Sequence, residues 1–129
     1  MKLKRRTVAY IVLGAGACLL AGPFVGRLFA GQEQAPNRRD VTITGRNYQF
    51  SPGRVVVLQD DLVKVTLRSE DHAHSFAIDE YRIVKRVPAG GSTTFEFRAD
   101  KPGTFTFYCN LTNDAGCRQM RGELVVNAR

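Results

Sequence analysis

From Val41 onward the chain is cut into short alternating runs by turn residues, and that spacing excludes most folds. Val41 to Thr44 alternates, Asn47 to Phe50 continues it, and Ser51-Pro52-Gly53 turns the chain. Arg54 to Leu58 is a β-branched run, and Asp60-Asp61 marks the next turn. Leu62 to Arg68 places Val63, Val65 and Leu67 inward, and His72 to Ile78 places His72, His74, Phe76 and Ile78 on one face. A short strand is expected at Arg82 to Val84, before Pro88 to Gly91. Ser92 to Arg98 points Phe95 and Phe97 inward, and Lys101-Pro102-Gly103 turns into the next strand. No helical period competes after residue 30. The pattern predicts an all-β sandwich or barrel of many short strands. Arg46 to Arg54 and Asp100 to Gly103 should be exposed turns, with Phe95, Phe97, Phe105 and Phe107 in one core.

The N-terminus reads differently. Met1 to Arg6 is a basic flank, and the 19 residues from Val8 to Gly26 carry no charge. As a helix they would span about 28 Å, close to the ~30 Å hydrocarbon core of a bilayer. The basic flank places the N-terminus inside and the following domain outside. A retained anchor is expected. A cleaved signal peptide is the rival, weakened because Leu28-Phe29-Ala30 is a poor small-x-small site. A lipidated Cys18 is the third reading, and the apolar run continuing to Val25 argues against it. All three deliver the domain to the periplasmic or extracellular side. The expected organisation is a basic cytoplasmic arm (1–7), a transmembrane helix or signal anchor (8–30), a polar linker (31–40) and one β domain (41–128).

The net charge of +7 suggests nucleic acid until it is located. Residues 1–40 hold seven Lys/Arg against two Asp/Glu, and residues 41–129 hold twelve against ten. The excess sits on the arm and linker, and the β domain lacks a basic face with interleaved aromatics. No nucleic-acid partner is expected. No Ser-His-Asp set or paired carboxylates suggest hydrolysis, so neither catalysis nor a small-molecule substrate is expected.

Chemistry concentrates between Gly103 and Val126. Phe105, Phe107 and Cys109 share one strand face, so Cys109 ends its strand on the core side. The Asn-, Asp- and Gly-rich loop that follows carries Cys117 and Met120 before a closing strand at Glu123 to Asn127. Two thiols and a thioether within twelve residues form a soft cluster suited to copper. His74, inward on its strand, offers the one nitrogen that would complete four ligands. Taken singly, each of these residues is more often core filler; their joint occurrence is what points to a metal. His72 is read as exposed and outside the set.

The segments Asp71 to Phe76, Arg82-Ile83, Val87 to Gly90, Phe107 to Cys109 and Met120 to Leu124 resemble the cupredoxin domain of cytochrome c oxidase subunit II. That resemblance covers residues 41–128 and implies a Greek-key cupredoxin-like β-sandwich, here preceded by one N-terminal transmembrane helix. In that family an upstream His and the loop Cys-x3-Cys-x3-His-x2-Met hold a two-copper centre. Cys109 and Met120 have the motif's spacing, and His74-Ser75-Phe76 matches its first His. The middle departs from it: Asn113 stands at the second cysteine, Asp114 at the following glycine and Cys117 at the loop histidine. The expected site is therefore His74, Cys109, Cys117 and Met120 around one copper.

Three functions follow. The first is a membrane-anchored copper protein that carries electrons or handles copper for respiration, working with a redox partner or oxidase subunit. The second is a diverged or accessory subunit of a haem-copper oxidase. The third is a metal-free interaction domain in which Cys109 and Cys117 pair as a disulfide, as outer compartments permit.

Overall fold

The alternating runs fold as nine β-strands among residues 35–129, the part of the chain that the computed structural model describes. They are β1 (Arg38–Arg46), β2 (Gln49–Ser51), β3 (Arg54–Leu58), β4 (Leu62–Ser69), β5 (His74–Ile78), β6 (Ile83–Val87), β7 (Ser92–Arg98), β8 (Gly103–Tyr108) and β9 (Arg121–Asn127). One sheet has the order β2-β1-β4-β7 and the other β3-β9-β8-β5-β6. Two pairings are parallel, β1 with β4 and β3 with β9, and the rest are antiparallel. Both sheets bury one face. Ile43, Val63, Val65, Leu67 and Phe95 from the first meet Val55, Val57, Phe76, Ile78, Phe107, Leu124 and Val126 from the second. The all-β sandwich is as expected, and the period-2 parity of Val63, Val65 and Leu67 holds.

The differences have local causes. β1 begins at Arg38, inside the stretch expected as linker, because its parallel ladder with β4 starts at Arg38 opposite Leu62. Phe50 lies in a stretch expected as an exposed turn, yet it is buried, edge-on to Phe76 at 6.0 Å and Phe107 at 5.3 Å. One aromatic in a polar stretch closes the open end of a small core. Phe97 and Phe105 are only partly buried; both rings pack on Tyr81 at 5.2 and 5.3 Å, at the margin of the cluster. The arm and transmembrane segment expected over 1–30 lie outside the described residues. Among the described ones, no helix is long and apolar enough to cross a membrane.

Asp61 marks a turn in the sequence, but it is buried. Its carboxylate accepts the Leu58 backbone N–H at 2.9 Å and the Arg129 guanidinium at 2.7 Å, with Arg39 at 3.4 Å. Desolvation pushes its pKa up, but the Leu58 N–H and the two arginines outweigh that and hold it below the usual range. It ties the C-terminal Arg129 to the β3–β4 turn. Asp61→Ala should cost about 1–3 kcal/mol, since it leaves the Leu58 N–H without its acceptor. Urea unfolding of the two proteins checks this, and an unchanged midpoint would show that water replaces the carboxylate.

Candidate metal centre

β5 is buried along its whole length, which is unusual for a strand with two polar residues. His74 and Ser75 open it; Gly45, Asp71 and His72 surround the first, and Cys109 and Asn110 after β8 meet the second. His74 is 0% exposed. Its Nε2 lies 2.7 Å from Asp71 Oδ1. The Cδ2–Nε2 side of the ring rests on Gly45, where an added Cβ would come within 2.8 Å of Cδ2. Only glycine lets β1 approach so closely. Nδ1, on the other side of the ring, is buried and has no hydrogen-bond partner. An orphaned imidazole nitrogen in a sealed position is rare and calls for a reason.

The sulfur side lies at the same end of the sandwich. Cys109 follows β8, and its Sγ sits 3.4 Å from the Ser75 backbone N and 3.6 Å from Ser75 Oγ. Ser75 Oγ also bonds Asn110, at 2.6 Å to Oδ1 and 2.7 Å to the backbone N. Cys117 opens a short 3-10 turn, Cys117–Gln119, and receives the Leu111 N–H at 3.1 Å on its Sγ. Met120 is 1% exposed, and its carbonyl accepts the Cys109 N–H at 3.2 Å. The loop ends are therefore tied together, with Cys109 against Ser75, the residue after His74. All four sequence-predicted ligands, His74, Cys109, Cys117 and Met120, are buried.

Cys109 and Cys117 are joined in a disulfide, with Cα atoms 5.2 Å apart. This is the pairing that the sequence left open as its third alternative. As disulfide sulfurs they are not thiolates, so in this state the four residues do not make a copper site. Two-electron reduction would release two thiols that already face backbone N–H donors, one of them the N–H of the residue after His74. That dithiol state fits a soft ion; the disulfide state does not.

Sequence reasoning missed the ring of polar groups around His74. His72 precedes β5 and is half-buried, where exposure was expected; its ring lies 4.6 Å from the rings of both His74 and Tyr48. Tyr48 and Asn47 form the two-residue β1–β2 turn with φ of 58° and 51°. A left-handed tyrosine is costly, and its ring is held between His72 and Gly116, where an added Cβ would overlap it. Its phenol pKa is pushed up, first by burial and then by a hydrogen bond to Asp114. The one available signal was the Asp71-x-x-His74 spacing, which puts a carboxylate beside the ring.

Asp71 is the electrostatic centre of this ring. Desolvation raises its pKa, but the Asn47 N–H, the His74 ring and the His72 N–H outweigh it and hold it at about 2. A depressed folded pKa contributes stability above the unfolded value of about 3.9, which is lost as pH falls toward 2. Asp71→Asn should flatten the acid limb of an unfolding-midpoint profile between about pH 4 and 2. Parallel profiles for the two proteins would discount this reading.

A family model described as "Cupredoxin-like domain" matches residues 18–126. The alternative cytochrome c oxidase subunit 2 of Bradyrhizobium diazoefficiens is 38% identical over 66 residues, 51% of this chain and 24% of that protein. The chain thus spans about a quarter of that curated relative. A cryo-EM structure of a heme-copper terminal oxidase dimer superposes with a TM-score of 0.65 at 18% identity, covering 74% of this chain and 68% of the other. The metal-binding domain of the Streptococcus pneumoniae D39 Cu(I)-exporting P-type ATPase CopA, solved with Cu(I), gives a TM-score of 0.60 at 13% identity. It covers 71% of this chain and 88% of that one. At such identities the superpositions show the shared fold.

Proposed function

This chain belongs to the cupredoxin-like domain family, and on that premise we propose that it is a membrane-anchored copper-handling protein of the outer side, gated by its own disulfide. The observation that carries the reading is His74: a sealed imidazole whose Nδ1 has no partner, one residue before the N–H that meets Cys109 Sγ. Reduction of Cys109–Cys117 takes two electrons and two protons from a dithiol donor and yields two thiols. One copper ion would then be held by Cys109 and Cys117 as thiolates, His74 as the nitrogen ligand and Met120 as a weak outer ligand, both thiol protons leaving. Bound copper supplies a one-electron couple, and a set with three sulfurs favours Cu(I). The protein's own part is to seal the ligands from water and to fix the imidazole through Asp71 and Gly45.

The uncharged run at 8–26 behind a basic flank supports the anchor, and a disulfide between the ligand cysteines supports an oxidising, outer compartment. Similarity to an alternative cytochrome c oxidase subunit 2 supports a partner of the oxidase class. It also favours the second reading, a diverged or accessory oxidase subunit. The test is copper analysis and absorption spectroscopy of the chain before and after reduction. One copper per chain after reduction, and none before, is expected at the sulfur set. A reduced chain that takes up no copper leaves the metal-free, disulfide-stabilised interaction domain as the correct reading.

A further inference from the structure

Beside the sulfur set stands a second group of donors, around His72 and His74. Two neighbouring histidines each keep a buried ring nitrogen without a partner, Nδ1 of His74 and Nε2 of His72. On the other edges of the two rings the donor atoms already converge, His74 Nε2 and His72 Nδ1 both facing Asp71 Oδ1. One atom from each of Asp71, His72 and His74 lies within 4.8 Å of the other two. Asp71 Oδ1 is 2.7 Å from His74 Nε2 and 3.7 Å from His72 Nδ1. Asp114 Oδ2 stands 3.9 Å from His72 Nε2, so a second carboxylate borders the same ring.

This donor set is the opposite of the sulfur cluster. Two imidazoles and a carboxylate suit zinc or copper(II), whereas thiolate and thioether suit copper(I). It needs no thiol, so the disulfide does not disable it. We infer that, in the disulfide state, Asp71, His72 and His74 bind one divalent cation of the zinc–copper(II) class, with water in the fourth position.

The geometry needs only a small adjustment. Ligands at about 2.0–2.2 Å from one ion stand at most about 4.4 Å apart. His74 is sealed against Gly45, and Asp71 is fixed by the Asn47 N–H at 2.8 Å, so both are pre-positioned. His72 is the adaptable member, with a side chain 41% exposed and no place in a strand. Binding replaces the hydrogen bond between His74 Nε2 and Asp71 with two bonds to the ion, and the one proton of the neutral ring moves from Nε2 to the bare Nδ1. It also uses His74 in a way that competes with its role in the sulfur site. The chain would therefore hold a borderline divalent ion when oxidised and a soft monovalent one when reduced. His72 belongs to the first site alone.

The proposal does not depend on copper binding by the sulfur set, and the test keeps the two apart. Full-length oxidised chain is titrated with zinc chloride by calorimetry, and reduced chain is titrated with copper(I), each also as His72→Ala. One zinc per oxidised chain is expected, with affinity falling at least about tenfold in His72→Ala and copper(I) uptake unchanged. No zinc uptake by the oxidised chain, or uptake indifferent to His72→Ala, overturns the inference. So does His72→Ala losing zinc and copper(I) alike, since that would make His72 part of one common site. Zinc binding by the oxidised chain without copper(I) binding by the reduced one upholds this site and removes the proposed function instead.

Discussion

Reduced chain carrying Cys109→Ser should take up no copper, whereas the unsubstituted reduced chain should bind one ion. Cys109 is the ligand with the most support around it. It is 3% exposed, closes β8 on the core side, and has the Ser75 N–H on its sulfur at 3.4 Å. That donor stabilises a thiolate and has no comparable use for a serine hydroxyl, which stays protonated at neutral pH. Loss of Cys117 or Met120 should weaken or retune the site, because water can fill an outer position. The stoichiometry follows from Asn113. A two-copper centre needs two bridging thiolates, and Asn113 stands at the position where the oxidase loop has its second. Cys117, four residues further on, sits where that loop has its terminal histidine. Two coppers per chain with a mixed-valence signal shared by both nuclei would refute the single-ion site. Conversely, Asn113→Cys with Cys117→His should produce a two-copper spectrum on the same scaffold.

Parity made the fold legible. Val63, Val65 and Leu67, then Phe76 and Ile78, then Phe107, each fall inward as period 2 demands, because burial on one sheet face fixes register residue by residue. Pairing was not legible. The parallel ladders of β1 with β4 and β3 with β9 join runs far apart in sequence, and no local signal specifies them. The site divides the same way. Cys109, Cys117, Met120 and His74 stood out because thiols, thioethers and inward histidines are rare. Asp71, Ser75, Asp114 and Tyr48 did not, since each is an ordinary turn or strand residue whose role depends on which loop lies against it. Asp61 is the sharpest case. A turn aspartate is nearly always solvated, and only the return of Arg129 and Arg39 buries this one.

Phe107→Ala should be the most damaging core substitution, at about 3–5 kcal/mol. The ring is 1% exposed and lies 4.9 Å from Phe76 and 5.3 Å from Phe50, so it joins β8, β5 and β2 at the centre of the sandwich. Its partner across the β8–β9 ladder is Gly122. A Cβ there would overlap the Phe107 ring and come within 2.9 Å of the Gly53 carbonyl. The ring occupies the space that any other residue at 122 would fill, which leaves no neighbour able to collapse into the cavity from that side. A domain of this size has about 5–15 kcal/mol in total, so the variant should unfold at a markedly lower urea concentration. Gly122→Ala should cost about 1–3 kcal/mol by overpacking in the unsubstituted chain. In the Phe107→Ala background part of that cost should vanish, because the ring that clashes is gone, while the Gly53 carbonyl still opposes the methyl group. A double-mutant cycle on urea midpoints reads this coupling directly. If Phe107→Ala cost under about 1 kcal/mol, or the two substitutions simply added, Phe107 would not be the residue that fills the space over Gly122.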